Sequence, residues 1–174
     1  MTTDPVADVR RWVEQVVIGL DLCPFAATPL RAGTVRFVAS RAAEPQEVLA
    51  ELLNEAEGLR DGGASTTTLL VLPRHAEAFE DFLDLVAASE DLLAQLELSQ
   101  DVQLAHFHPD YAFAEVDPDD PANQTNRAPW PTLHLLRVAD VAQAIDSHPD
   151  PEGIPARNVA LLRRLATGKA QVPR

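Results

Sequence analysis

His106 and His108 stand two residues apart in Leu104-Ala105-His106-Phe107-His108-Pro109, and His134 lies in Thr132-Leu133-His134-Leu135-Leu136. On an extended strand a two-residue step sends both side chains to one face. If the His134 segment pairs alongside, three imidazoles converge. Such a set could hold zinc, iron or another divalent transition metal, or act as general acid and base. Asp110, Asp117, Asp119 and Asp120 would add oxygen ligands or a base. With a metal bound, hydrolysis by an activated water is the favoured reaction class. The other reading of His134, set between leucines, is a hydrogen-bonded core histidine. His75 and His148 fall at element ends and carry no functional expectation.

The segment Asn123-Gln124-Thr125-Asn126-Arg127-Ala128-Pro129-Trp130-Pro131 offers a second chemistry. Its prolines and tryptophan restrict the backbone, while amides, a hydroxyl and a guanidinium present fixed donors and acceptors. A planar fork such as that of Arg127 suits clamping a carboxylate or phosphate. Arg127, Asn126, Asn123, Thr125, Trp130 and Tyr111 are therefore the candidate ligand-binding residues for a small anionic molecule. The same groups could instead satisfy the loop's own carbonyls and pair with Asp119 or Asp120.

Cys23, the only cysteine, lies in Asp21-Leu22-Cys23-Pro24-Phe25-Ala26. A reactive thiol needs a helix N-terminus or a nearby cation. Here the preceding residues read as a helix, so the cysteine meets the negative pole, which disfavours a thiolate. Cys23 is expected mainly as a small side chain closing the first helix, with a ligand or catalytic role as the alternative. A single cysteine excludes dithiol redox chemistry within one chain.

These residues need elements to position them. Val6, Val9, Val13, Val16, Val17 and Leu20 recur at helical spacing, and Asp4-Pro5 supplies a cap, which predicts a helix from about Pro5 to Leu22. A turn over Ala26 to Gly33 and a strand at Val35 to Ala39 follow. The periodicity then predicts helices over Pro45 to Leu59 and Ala76 to Leu96, flanking a strand at Thr67 to Leu72. That strand's unbroken apolar run places it at the sheet's centre. Strands at Val102 to His108 and Thr132 to Val138, then helices at Ala139 to Ser147 and Pro155 to Thr167, complete the order. It specifies a single α/β (α+β) domain over residues 1–174: a mixed sheet of about four strands packed with helices. Between the last two strands, about 23 residues from Pro109 to Pro131 contain five prolines and little periodicity. Loops so long are uncommon in compact domains and are usually functional or disordered. The aromatic content of this one favours a docked, ordered loop.

Composition narrows the partners. With 27 acidic side chains against 14 basic ones the net charge is −13, a sign that repels nucleic acid and anionic membrane surfaces. The N-terminus lacks the pattern of a secretory signal, and no apolar run approaches the roughly 18 to 20 residues that span a bilayer. A cytoplasmic location is expected.

Taken together, VVIGLDLCPFA, QLAHFHPDYAFA, TNRAPWPTLHLLR and IPARNVALLRRL resemble the signature segments of a bacterial family described only as a domain of unknown function. The resemblance spans nearly the whole chain. It implies that the segments around Cys23, His106, His108, Asn126, Arg127 and His134 belong to one design, and it supplies no reaction. Trp130 stands between the prolines where the family it resembles carries tyrosine, a change that keeps an aromatic plane and loses a hydroxyl.

The expectation that unites these readings is an enzyme-like small-molecule site, built by the two histidine-bearing strands and covered by the long loop. Arg127 and Asn126 would bind an anion, and the catalytic candidates are His106, His108, His134 and Cys23. One alternative is a binding or assembly protein that uses Trp130, Tyr111 and Phe113 as interface anchors. Another is a redox protein that uses an exposed Cys23.

Overall fold

Asp4 accepts from the Val6 and Ala7 amides and starts helix α1, Pro5–Trp12, with Pro5 at a position where no N–H is needed. The computed structural model, which describes residues 4–168, does not continue this helix regularly. Val13–Ile18 forms a π-helical segment. The Gly19 N–H donates to Glu14 O and the Leu22 N–H to Val17 O, each five residues back. The β-branched run Val16-Val17-Ile18 is poorly suited to α geometry, which weakens the tighter alternative. The expected single helix to Leu22 therefore divides, and a turn with Asp21 at a φ of 53° leads into Cys23.

The expected turn after Cys23 contains helix α2, Ala27–Ala32, ended by left-handed Gly33. Pro29 occupies the first helical turn, where its missing N–H costs nothing. Strand β1, Val35–Ala39, follows. Then come α3, Pro45–Arg60, the wholly buried β2, Thr67–Val71, and α4, Phe79–Gln95. A short 3-10 turn at Leu98–Gln100 precedes β3, Val102–Phe107. After the long loop come β4, Thr132–Arg137, α5, Val138–Ser147, and α6, Ile154–Ala166.

The strands order as β1-β2-β4-β3. β1 and β2 are parallel, and β4 runs antiparallel to both of its neighbours, so β1, β2 and β3 end at the same edge. β2 is interior, as its apolar run predicts, and β4 lies beside it in the interior. One face packs Leu70, Leu133 and Leu135 against Leu52, Phe82 and Val86 of α3 and α4. The other packs Leu69 and Val71 against Val9, Trp12 and Val13. No helix among the described residues is long and apolar enough to cross a membrane.

Candidate functional site

β3 and β4 are neighbours, but their register separates the histidines. His134 lies opposite Ala105, whereas His106 lies opposite Leu133. Cross-strand partners share a face, so the His134 ring is on the α1 side and the His106 ring on the α3/α4 side. The expected cluster of three imidazoles does not form. Among the described residues no three histidine, cysteine, aspartate or glutamate side chains gather as metal ligands.

His134 instead behaves as the core histidine of the alternative reading. Thr67 Oγ1 donates to Leu135 O (2.7 Å) and so accepts from His134 Nε2 (2.7 Å). Burial pushes the ring's pKa down from 6.5 to about 4. Between those values the unfolded chain takes a proton that the folded one refuses, so stability falls as pH drops through this window. The ring edge is partly open, and the loss should be on the order of 2 kcal/mol. Urea unfolding at pH 7 and pH 4.5 checks this. His134→Gln should flatten the difference, and an unchanged pH slope in that variant would contradict the assignment.

His106 and His108 do meet, inside an aromatic cluster. The His108 ring centroid lies 5.2 Å from that of Phe79 and 5.1 Å from that of Phe82. The His106 ring lies 5.5 Å from Tyr111. His108 is fully buried. Its Nδ1 accepts from the Asp110 N–H (3.0 Å), which leaves the hydrogen on Nε2 to be donated to Ala76 O (3.1 Å). His106 keeps a buried Nδ1 without a partner, and burial lowers its pKa. Tyr111 is buried rather than exposed, so it cannot serve as an interface anchor as it stands.

The loop's polar groups turn inward. Asn123 is fully buried, accepts from the Phe113 N–H (3.0 Å) and donates to Asp117 O (2.8 Å) and Pro118 O (3.1 Å). Arg127 donates to Tyr111 O (2.9 Å) and Pro118 O (2.7 Å), Thr125 to Ala122 O, and Asn126 to His106 O. These bonds follow the self-satisfying alternative, in which the loop braces itself around a 3-10 turn at Pro121–Thr125. Arg163 of α6 adds a two-pronged pair with Asp120 (3.1 and 2.7 Å), which holds that carboxyl below its ordinary pKa.

Cys23 is also held by α6. Asn158 donates to Leu22 O (2.7 Å), and Arg157 pairs with Asp21 (3.0 Å). The half-buried thiol has its pKa raised chiefly by burial, opposed by bonds from the Phe25 and Ala26 amides, with Asp21 adding a last, smaller rise. Alkylation by iodoacetamide at pH 7.5 should therefore run about tenfold slower than for an unstructured cysteine peptide. Equal rates would revive a reactive thiol.

A concavity lies elsewhere, outside the edge where β1, β2 and β3 end. It encloses about 740 Å³. Leu72-Pro73-Arg74-His75-Ala76 after β2 lines it, together with Asp81, Asp84 and Leu85 of α4. Pro109 and Asp110 after β3, and Pro129-Trp130-Pro131 before β4, complete the lining. Of the expected site residues Asp110 and Trp130 line this groove. The Trp130 indole N–H donates to Asp8 of α1 (3.2 Å), which fixes the ring. Ligands of open α/β sheets commonly bind outside the carboxyl ends of strands. That rule was the available signal for Arg74 and His75, which directly follow the buried β2 and which residue-type reasoning passed over.

A four-stranded mixed sheet with helices on both faces and a groove at its carboxyl edge defines an α/β protein. The chain belongs to the family described as "Protein of unknown function (DUF1415)", whose model matches residues 4–172. No curated protein and no solved structure matches it.

Proposed function

We propose that the protein binds a small organic molecule carrying a positively charged group, in the groove at the carboxyl edge of the sheet. The observation that carries this reading is the lining of that groove. Glu77, Asp81, Asp84 and Asp110 face it against the single guanidinium of Arg74. None of these five charges forms an ion pair among the described residues. A concavity walled mostly by carboxylates favours a cation, and the net charge of −13 adds to the attraction. Trp130, held between two prolines, offers the aromatic face best suited to an ammonium or guanidinium ligand.

This places the ligand at a different site from Arg127 and Asn126, whose donors brace the loop, and reverses the sign of the charge expected from them. Arg74 leaves room for a ligand that also bears a carboxylate. His75, the one imidazole in the lining, is the group suited to moving a proton on a bound molecule.

A thermal-shift panel of size-matched amines, alcohols and carboxylates tests the proposal. A ligand at about 100 times its Kd should stabilise by roughly 2.7 kcal/mol, which corresponds to a Tm rise of about 5 to 10 °C in a chain of this length. Amines should produce that rise, and Trp130→Ala or the pair Asp81→Asn with Asp84→Asn should remove it. Carboxylates acting as strongly as amines, or a rise that survives both variants, would count against it.

A further inference from the structure

We infer that His108 is a positioning residue for the groove: a buried latch whose ring ties the segment after β2 to the turn after β3, both of which line it. The inference rests on the groove being the binding site. Ala76 and Asp110 both line the groove. They are 34 residues apart in the sequence, and the imidazole bridges them directly. Its Nε2–H donates to Ala76 O and its Nδ1 accepts from the Asp110 N–H. Phe79 and Phe82 stack against the ring and prevent it from turning away. The His108 N–H donates to Asn126 O (3.1 Å) and the Tyr111 N–H to His108 O (3.2 Å), so the latch is anchored in the braced loop.

Ala76 supports the same reading. Its φ of 59° is a left-handed conformation that side-chain-bearing residues adopt at a cost, and its side chain is buried. Such a conformation persists where the surroundings enforce it, and the bond from His108 is one of those constraints. The sequence pairs His108 with His106 by spacing alone. The structure gives the two different work: His106 keeps a free nitrogen inside the aromatic cluster, while both nitrogens of His108 are committed to groove-lining main chain.

Two substitutions separate the two halves of the latch. His108→Asn keeps an acceptor near the Nδ1 position and gives up the bond to Ala76. His108→Gln keeps an N–H near the Nε2 position and gives up the bond to Asp110. Each should weaken binding of an amine from the panel about five- to tenfold, the equivalent of one hydrogen bond. In the ligand-free variants, amide shifts should concentrate at the segment released: around Ala76 for the first and Asp110 for the second. Because either variant could fail to fold, nitrogen NMR of the unaltered protein provides a second reading, with the His108 hydrogen expected on Nε2. Unchanged amine affinity despite lowered stability, or a hydrogen found on Nδ1, would overturn the latch. Wild-type protein that binds no amine would remove the ligand reading alone, and the lining amides and the tautomer would still decide the latch.

Discussion

His108→Ala is expected to lower the free energy of unfolding by about 3 kcal/mol, and the melting temperature by about 10 °C. Two effects add. Removing the fully buried ring leaves a cavity beside Phe79 and Phe82. It also strips Ala76 O of its donor and the Asp110 N–H of its acceptor. The Asp110 amide can find water because that residue is exposed, whereas Ala76 is buried, so most of the hydrogen-bond loss falls on its carbonyl. Urea unfolding gives the number, and a cost below about 1 kcal/mol would mean that the site collapses without penalty.

Gly19→Ala should be comparably damaging for a different reason. Gly19 has an ordinary φ of −60°, so its conformation does not require glycine. Its surroundings do, because a Cβ there would run into Gln15 O and lie 2.9 Å from Gln15 C. Both are backbone atoms that cannot swing aside, and the clash follows from the π-helical turn. The segment would have to rewind, at a cost of about 3 kcal/mol or more, and would displace the Leu22 carbonyl held by Asn158. Gly33→Ala provides the contrast: its φ is +71° with no atom within 4 Å of the new carbon, and it should cost only about 1 kcal/mol. Thermal unfolding of the two variants side by side measures the difference, and equal losses would contradict the steric account.

Where composition alone determines an element, the sequence states it clearly. The run Thr67 to Val71 can be comfortable only when covered on both faces, and it is buried throughout. The long apolar stripes of α3 and α4 likewise leave little choice of partner. The adjacency of the two histidine-bearing strands follows from their order in the chain. Their register does not. A one-residue difference in pairing moves a side chain to the opposite face, and nothing local to Leu133-His134-Leu135 says which residue of β3 it will meet. That single residue decides between a metal cluster and two unrelated rings.

The long loop presents a different difficulty. Asn123, Asn126 and Arg127 have the types expected of a binding loop, and also the types needed to satisfy about two dozen irregular residues' own carbonyls. Sequence order does not distinguish the two. The groove is harder still, since its walls come from segments after β2, in α4, after β3 and before β4. Its clearest traces are the rigid turns His108-Pro109-Asp110 and Pro129-Trp130-Pro131, both within conspicuous segments, and both contribute residues to the lining.

The central claim is that ligands enter at the carboxyl edge of the sheet, between the Arg74–Ala76 turn and Trp130. Amide and indole chemical-shift mapping during titration with an amine from the panel tests it most directly. The largest changes should fall on His75, Ala76, Ala88, Asp110 and the Trp130 indole N–H, with little at Cys23, Arg127 or His134. Changes centred on Cys23 and Asn158, or on the Asn126–Arg127 segment with the Ala76 and Trp130 signals still, would contradict the account.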